Sequence, residues 1–313
     1  MIDISRFLHG SEAERAAVAA AWDEAFTGVG FCLLTGFESL LPTASVRSLR
    51  ETATRYFAQS TKDLKMQAHV DGMVGYLGVG DENVAASTGE TNSVPDLVES
   101  LNLPGYQEPS APWRSDPSAG EVPWRDAAFA RALPAELADA AAEYWRGATR
   151  LMLSLMELSE LALDLPAGTF APSFAEPGTL LRLAYYPAGA AAPNQLRYGA
   201  HTDYDGFTLL ERGEEGGEEG SGGLEIQDCL SDAFRPVPAP PGTLTINIGD
   251  LLARWTNDRW RATPHVCCSG ARTLDGQLVA CSARTHTFAP RPPYRDSVCP
   301  RRRRTARPHS AVA

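Results

Sequence analysis

The sequence predicts an α+β protein, with an N-terminal helical region packed outside a β-sandwich or barrel. Three observations carry this. Apolar residues recur at helical spacing through much of the first 165 residues, and after Pro172 the apolar runs become short and are separated by turn residues. The length of 313 residues with 43% hydrophobic residues is enough to bury one large core or two fused ones.

Residues 12–27 place Ala16, Ala20, Trp22, Ala25 and Phe26 on one helical face, with charge opposite. The apolar run between Gly28 and Gly36 reads as a buried strand. Residues 44–66 are helical again, through Val46, Leu49, Tyr56 and Phe57. Residues 68–133 are punctuated by Gly and Pro, with few periodic segments, and read as a long functional loop over the pocket. Within it Tyr76, Asn83, Asn92 and Tyr106 could reach a ligand, although each is better explained as a loop-stabilising residue. The stretch from Pro134 to about Leu165 is the strongest helical signal, apolar around much of its circumference and therefore buried. Then follow LLRLAYYP, FTLLER, GLEIQD, FRPVP and GTLTINIGD, each a strand candidate, while GEEGGEEGSGG at 213–223 reads as a solvated hairpin loop.

The formal charge of −11 argues against a nucleic-acid backbone as partner. No apolar run reaches the ~20 residues of a membrane helix, and the start lacks a secretory pattern. Six scattered Cys without CxxC spacing make no disulfide framework. A soluble cytoplasmic protein is the expectation.

Chemistry concentrates in the β region. His201 and Asp203 form an H-x-D pair, and in a strand residues i and i+2 share a face, so both can address one point. His265 lies 62 residues beyond Asp203, after Asn247-Ile-Gly249-Asp250, and Tyr185-Tyr186-Pro187 lies upstream. Two imidazoles and one carboxylate suit a borderline divalent ion such as Fe(II), with three positions left open opposite them. A lone H-x-D arises by chance in many chains, so the surrounding strings decide.

Those strings are LRLAYYP, YGAHTDYDGFTLLE, GGLEIQD and PGTLTINIGDLLARWTNDRWRATPH, with looser matches in GFCLLTGF, RYFAQSTKDLK, Gly75-Tyr76 and Pro95-Asp-Leu-Val-Glu99. Over roughly residues 2–265 the chain resembles the isopenicillin N synthase-like family of Fe(II)/2-oxoglutarate oxygenases. The resemblance implies a distorted double-stranded β-helix (jelly roll) core holding the metal. It makes His201, Asp203 and His265 the iron ligands and Tyr186 the hydrogen-bond partner of a 2-oxoglutarate carboxylate. It implies O2 and 2-oxoglutarate as co-substrates, succinate and CO2 as products, and hydroxylation or desaturation of a small molecule, as in specialised metabolism. Ala184 stands where the family often has Asn. Asn247, Gly249 and Asp250 read as a structural turn, Thr202 and Tyr204 as flanking residues, and His69 as solvated.

The pattern breaks after His265. The family continues with Arg-Val and then an Arg-x-Ser whose Arg pairs bidentately with the distal carboxylate of 2-oxoglutarate, which Lys cannot reproduce. Here the sequence is His265-Val-Cys-Cys-Ser-Gly, with no Arg-x-Ser, and Arg284 is the nearest substitute. Residues 1–265 carry 37 acids and 19 bases, a net of −18, whereas residues 266–313 carry two acids and nine Arg, a net of +7. Four of the six Cys lie in the latter segment. A one-base deletion would explain the break: CAC CGT GTG CTG CTC CGG becomes CAC GTG TGC TGC TCC GG. The ratio of 26 Arg to 2 Lys fits GC-rich codons with an Arg- and Pro-rich shifted frame. The other reading is a genuine tail on a divergent member with a different co-substrate site. The expected organisation is therefore 1–133 as N-terminal region, 134–265 as backbone helix and iron-bearing core, and 266–313 as an atypical C-terminus, either frameshifted or divergent. The rival functions are an isopenicillin N synthase-type oxidase that uses no 2-oxoglutarate, favoured by the missing Arg-x-Ser, and a catalytically impaired metal-binding protein.

Overall fold

The computed structural model describes residues 1–70, 72, 74–87, 94–104, 122, 124–125, 127–171, 179–187, 195–204, 206–212, 223–231, 233–238 and 240–267, and the backbone of 277–282. Its larger sheet runs β1 (Ile2–Asp3), β2 (Phe31–Thr35), β10 (Leu244–Ile248), β7 (Phe207–Arg212), β12 (Gln277–Ser282), β5 (Leu180–Tyr186), β4 (Glu99–Pro104) and β3 (Gly75–Leu77). The smaller runs β6 (Tyr198–His201), β11 (His265–Cys267), β8 (Leu224–Gln227) and β9 (Phe234–Pro236). From β5 onward the chain crosses between the two sheets and back: β5, β7, β10 and β12 in one, β6, β8, β9 and β11 in the other. That winding is the double-stranded β-helix expected from the sequence.

The alternation of side chains along each strand separates a helix-facing core from a cavity between the sheets. On β7, Phe207 and Leu209 enter the apolar core while Thr208, Leu210 and Arg212 line the cavity. On β5, Leu181, Leu183 and Tyr185 face the core, and Arg182, Ala184 and Tyr186 the cavity. On β10, Leu244, Ile246 and Ile248 belong to the core, and Asn247 to the cavity.

Helices cover the outer face of the larger sheet: α1 (Ser5–His9), α2 (Glu12–Gly28), α3 (Thr43–Gln59), α4 (Lys62–Met66) and α7 (Ala135–Ala162). A capping box starts α2: Ser11 Oγ accepts from the Glu14 N–H, and the Glu14 carboxylate accepts from the Ser11 N–H at 2.9 Å, an arrangement worth about 1 kcal/mol. Trp22 and Phe26 of α2 pack edge to face with centroids 4.6 Å apart, and the Trp22 indole donates to Ser159 Oγ of α7 at 3.1 Å. Along α7, sixteen residues are buried, as expected for a central helix. The short helices α5 (Val84–Ser87) and α6 (Ala128–Arg131) lie between β3 and α7 in the chain, and α8 (Asp250–Trp255) follows β10. No helix among the described residues is long and apolar enough to cross a membrane.

Two sequence expectations change. The single helix over 44–66 is two, because Ser60 is extended (ψ 140°) and Thr61 caps α4 by accepting from the Leu64 N–H. The stretch 68–133, read as loop, supplies β3 and β4 to the larger sheet. Five of the six residues of β4 are buried, on both faces, so it shows no alternation for sequence reading to detect. The N-terminal region thus contributes four strands to the larger sheet besides the helices packed on it. The acidic stretch at 213–222, and Asn92 and Tyr106, lie outside the described residues.

Candidate metal centre

Strand pairing brings the two histidines together. In the antiparallel pair β6–β11, His201 and His265 are directly opposite, where cross-strand side chains meet. Their ring centroids are 4.3 Å apart. Asp203 follows β6 on the same face as His201, as the i, i+2 spacing predicts. One ligand atom from each of His201, Asp203 and His265 lies within 4.8 Å of the others. Asp203 Oδ1 is 3.5 Å from His201 Nε2 and 3.9 Å from His265 Nε2.

Each side chain is held by its other end. His201 Nδ1 lies 2.9 Å from the Gly199 carbonyl and His265 Nδ1 3.2 Å from the Thr263 carbonyl. A carbonyl only accepts, so each Nδ1 carries the proton and each Nε2 turns a lone pair to the common centre. Asp203 Oδ2 accepts from Thr208 Oγ1 at 2.5 Å and Asn247 Nδ2 at 2.7 Å, which leaves Oδ1 directed at the histidines. The donor set, three convergent atoms of two neutral imidazoles and a carboxylate, fits a divalent ion with an open face.

The loop carrying Asp203 is pinned by the start of α8. The N–H groups of Gly249, Asp250 and Leu251 donate to the carbonyls of Gly206, Asp203 and Tyr204 at 2.8, 2.7 and 3.1 Å. Thr202 Oγ1 donates to Asp250 Oδ2 at 3.1 Å. The segment Asn247–Asp250 therefore does more than turn the chain. Asn247 orients the Asp203 carboxylate directly, a role its position in an apolar strand did not announce. A buried Asn between two Ile residues was the signal, since such an amide needs a partner.

The remaining cavity wall includes Phe31, Ala184, Tyr186, Tyr198, Arg182 and Arg212. Tyr186 is buried, and burial raises its hydroxyl well above the usual phenol range; it donates to the Cys267 sulfur. Ala184 offers no amide to the cavity. Arg182 forms a buried ion pair with Glu82 at 3.0 Å and also contacts Ser100 and Asn102. Arg284 lies outside the described residues, so no contact places it at the site. Of the loop candidates, the Tyr76 hydroxyl donates to Glu99 at 2.7 Å and Asn83 Oδ1 accepts from the Ala86 N–H at 3.1 Å, both local bracing. His69 is half-buried, with Nδ1 2.8 Å from the Tyr76 carbonyl, tying the chain to β3 instead of facing solvent.

Comparison with known proteins agrees with this geometry. Residues 177–274 match the 2OG-Fe(II) oxygenase superfamily, and residues 1–127 match the N-terminal region described as non-haem dioxygenase in morphine synthesis. A 2-oxoglutarate-Fe(II) type oxidoreductase of Metarhizium rileyi is 28% identical over 288 residues, covering 85% of this chain and 72% of that protein. Validamycin A dioxygenase of Streptomyces hygroscopicus subsp. limoneus is 27% identical over 289 residues, covering 90% and 74%. The solved 2-oxoglutarate complex of the dioxygenase for auxin oxidation 1 from Arabidopsis thaliana aligns with a TM-score of 0.68 at 20% identity, over 96% of this chain and 98% of that one, a likeness of fold. With both halves of the fold matched in order and a His-Asp-His cluster at the expected place, the chain belongs to the 2OG-Fe(II) oxygenase superfamily.

Proposed function

We propose that this Fe(II)/2-oxoglutarate-dependent oxygenase hydroxylates or desaturates a small molecule, with Fe(II) held by His201, Asp203 and His265 and Tyr186 beside the co-substrate. The observation that carries the assignment is the convergence of three donor atoms whose opposite ends are all fixed by hydrogen bonds. When bound, Fe(II) with 2-oxoglutarate and O2 supplies the oxidising power, releasing succinate and CO2. The residues of this chain perform four tasks around it. His201 and His265 present unprotonated Nε2 atoms, Asp203 presents Oδ1, and Thr208 with Asn247 stops that carboxylate from rotating. Tyr186 and Ala184 shape the wall on which the co-substrate lies, and Phe31, packed edge-on at 5.5 Å from His265, keeps water from that side. No protein acid or base is needed at the reacting carbon.

The test is anaerobic addition of Fe(II) and then 2-oxoglutarate to the purified chain, followed by O2. The expected results are a visible metal-to-ligand charge-transfer band and then succinate. Oxygen uptake without succinate would support an oxidase that uses no 2-oxoglutarate, which the absence of Arg or Lys from β12 favours. Fe(II) binding with neither band nor oxygen uptake would leave a metal-binding protein.

A further inference from the structure

We propose that Arg212, on β7, is the cation that receives the distal carboxylate of 2-oxoglutarate in this chain; the inference rests on the oxygenase reading. A dicarboxylate that chelates a metal through its 2-oxo acid end carries its second carboxylate into the cavity, where a desolvated anion requires a cationic partner. Two of the described residues lining the cavity are permanently positive, Arg182 and Arg212. The charge of Arg182 is matched by Glu82 at 3.0 Å. Arg212 is held in place by neutral oxygens: Nη1 donates to the Val237 carbonyl at 2.9 Å, and Nη2 to the Pro238 carbonyl and Thr245 Oγ1 at 2.6 and 2.7 Å. Its neighbour Glu211 points to the other face of β7, where it pairs with Arg50 of α3. Burial pushes the Arg212 guanidinium down to about 10, so it stays charged at neutral pH and an incoming carboxylate would offset its desolvation.

Strand geometry puts Arg212 at a suitable distance from the metal. Thr208, which holds Asp203, and Arg212 share one face of β7 four residues apart, about 13 Å along an extended strand. A five-carbon dicarboxylate and an extended Arg side chain together bridge that gap. Across the sheet, Val279 of β12 pairs with Arg212 on one side and Ala184 on the other, and Gln277 pairs with Tyr186. Arg212 therefore lies level with the small Ala184 and one side-chain step from Tyr186, at the end of the cavity where a co-substrate contact was expected. The strand between them, Gln-Leu-Val-Ala-Cys-Ser, contains no cation of its own.

The test compares two 2-oxo acids, 2-oxoglutarate and 2-oxopentanoate, the second lacking only the distal carboxylate. Each is titrated anaerobically into the Fe(II)-loaded parent, Arg212→Gln, Arg212→Lys and Arg284→Gln, following the charge-transfer band. The parent is expected to prefer 2-oxoglutarate by about 10- to 100-fold, the range of a charge-assisted pair. Arg212→Gln should erase that preference while leaving Fe(II) affinity and 2-oxopentanoate binding near parental, and Arg284→Gln should keep it. If Arg212→Gln does not fold, Arg212→Lys decides, because an ammonium cannot reproduce the planar fork and the preference should fall several-fold. A preference unchanged in the Arg212 variants, or lost in Arg284→Gln, overturns the assignment. Absence of the band from the parent with both acids would instead sink the oxygenase reading itself, and this inference with it.

Discussion

Asn247→Ala is the most direct test of whether the cluster is a prepared metal centre or a chance meeting of polar groups. The substitution removes one of the two donors that fix Asp203 Oδ2, the amide at 2.7 Å, and leaves Thr208 at 2.5 Å. Both atoms are buried, so water does not replace the lost donor without rearrangement. A hydrogen bond to a charged group contributes about 1.5–3 kcal/mol, and each 1.4 kcal/mol is tenfold in an equilibrium constant. Affinity for Fe(II) should therefore fall by about 10- to 100-fold, the range seen when outer partners of metal ligands are removed. Because Thr208 acts on the same oxygen, Thr208→Val combined with Asn247→Ala should lose less than the product of the two single losses.

The assay is anaerobic competition for Fe(II) against a colorimetric chelator, run beside thermal unfolding of the metal-free proteins. A general packing defect would lower the metal-free melting temperature and leave the binding constant of the folded fraction alone. An oriented ligand shows the opposite split. If Asn247→Ala folds and binds Fe(II) within twofold of the parent, Asp203 does not depend on Asn247, and the carboxylate is not prepared for the metal by its hydrogen bonds.

Four further outcomes follow from the same structure. His201→Ala or His265→Ala should abolish stoichiometric Fe(II) binding and the charge-transfer band, read by the same competition and titration. Trp22→Ala, at a fully buried site where the indole also donates to Ser159, should cost roughly 3–5 kcal/mol in urea unfolding. Gly147→Ala should lower stability by about 1–3 kcal/mol, since a Cβ there would stand 2.7 Å from Leu41 Cδ1 and 3.1 Å from the Leu40 carbonyl. Burial pushes the Cys32 thiol on β2 from 9.0 up to about 12. The folded state thus keeps a proton that the unfolded chain releases, so this contribution is complete below pH 9 and is lost as pH rises from 9 to 12, by about 1.4 kcal/mol per unit. Cys32→Ala should unfold in urea with a correspondingly shallower alkaline slope than the parent.

What the sequence made legible was set by periodicity and by spacing. The strands β5, β7, β8 and β10 were visible because short apolar runs end at turn residues, and the H-x-D pair because two-residue spacing needs no knowledge of the rest of the fold. The long-range partner His265 was reached through resemblance, since nothing within 62 residues of intervening chain says that β11 will pair with β6. β4 was missed because burial on both faces removes the alternation that marks a strand. The break after His265 was legible as composition, and its structural meaning is partly visible: Gln277–Ser282 occupies the slot between β5 and β7 in the larger sheet. Reading the DNA across codons 264–270 separates a base slip from a genuine tail. An unbroken His-Val-Cys frame in an independent isolate would remove the slip.

The polar residues inside apolar strands carry the least visible part of the site, and they share one physical origin. Thr208, Arg212, Thr245 and Asn247 each interrupt a run of Leu, Ile or Phe, and each sits on the cavity face of its strand. A strand buried against helices on one side and lining a cavity on the other has no solvent face, so a polar residue there must satisfy itself within the cavity. Two of the four spend that requirement on Asp203 and two on one another, through Arg212 and Thr245. The same rule that makes such residues costly in a core makes them informative. Once two sheets are known to enclose a metal, the polar interruptions at every second position of β7 and β10 are the residues to test first, and Arg212 is the one among them with charge enough to hold an anion.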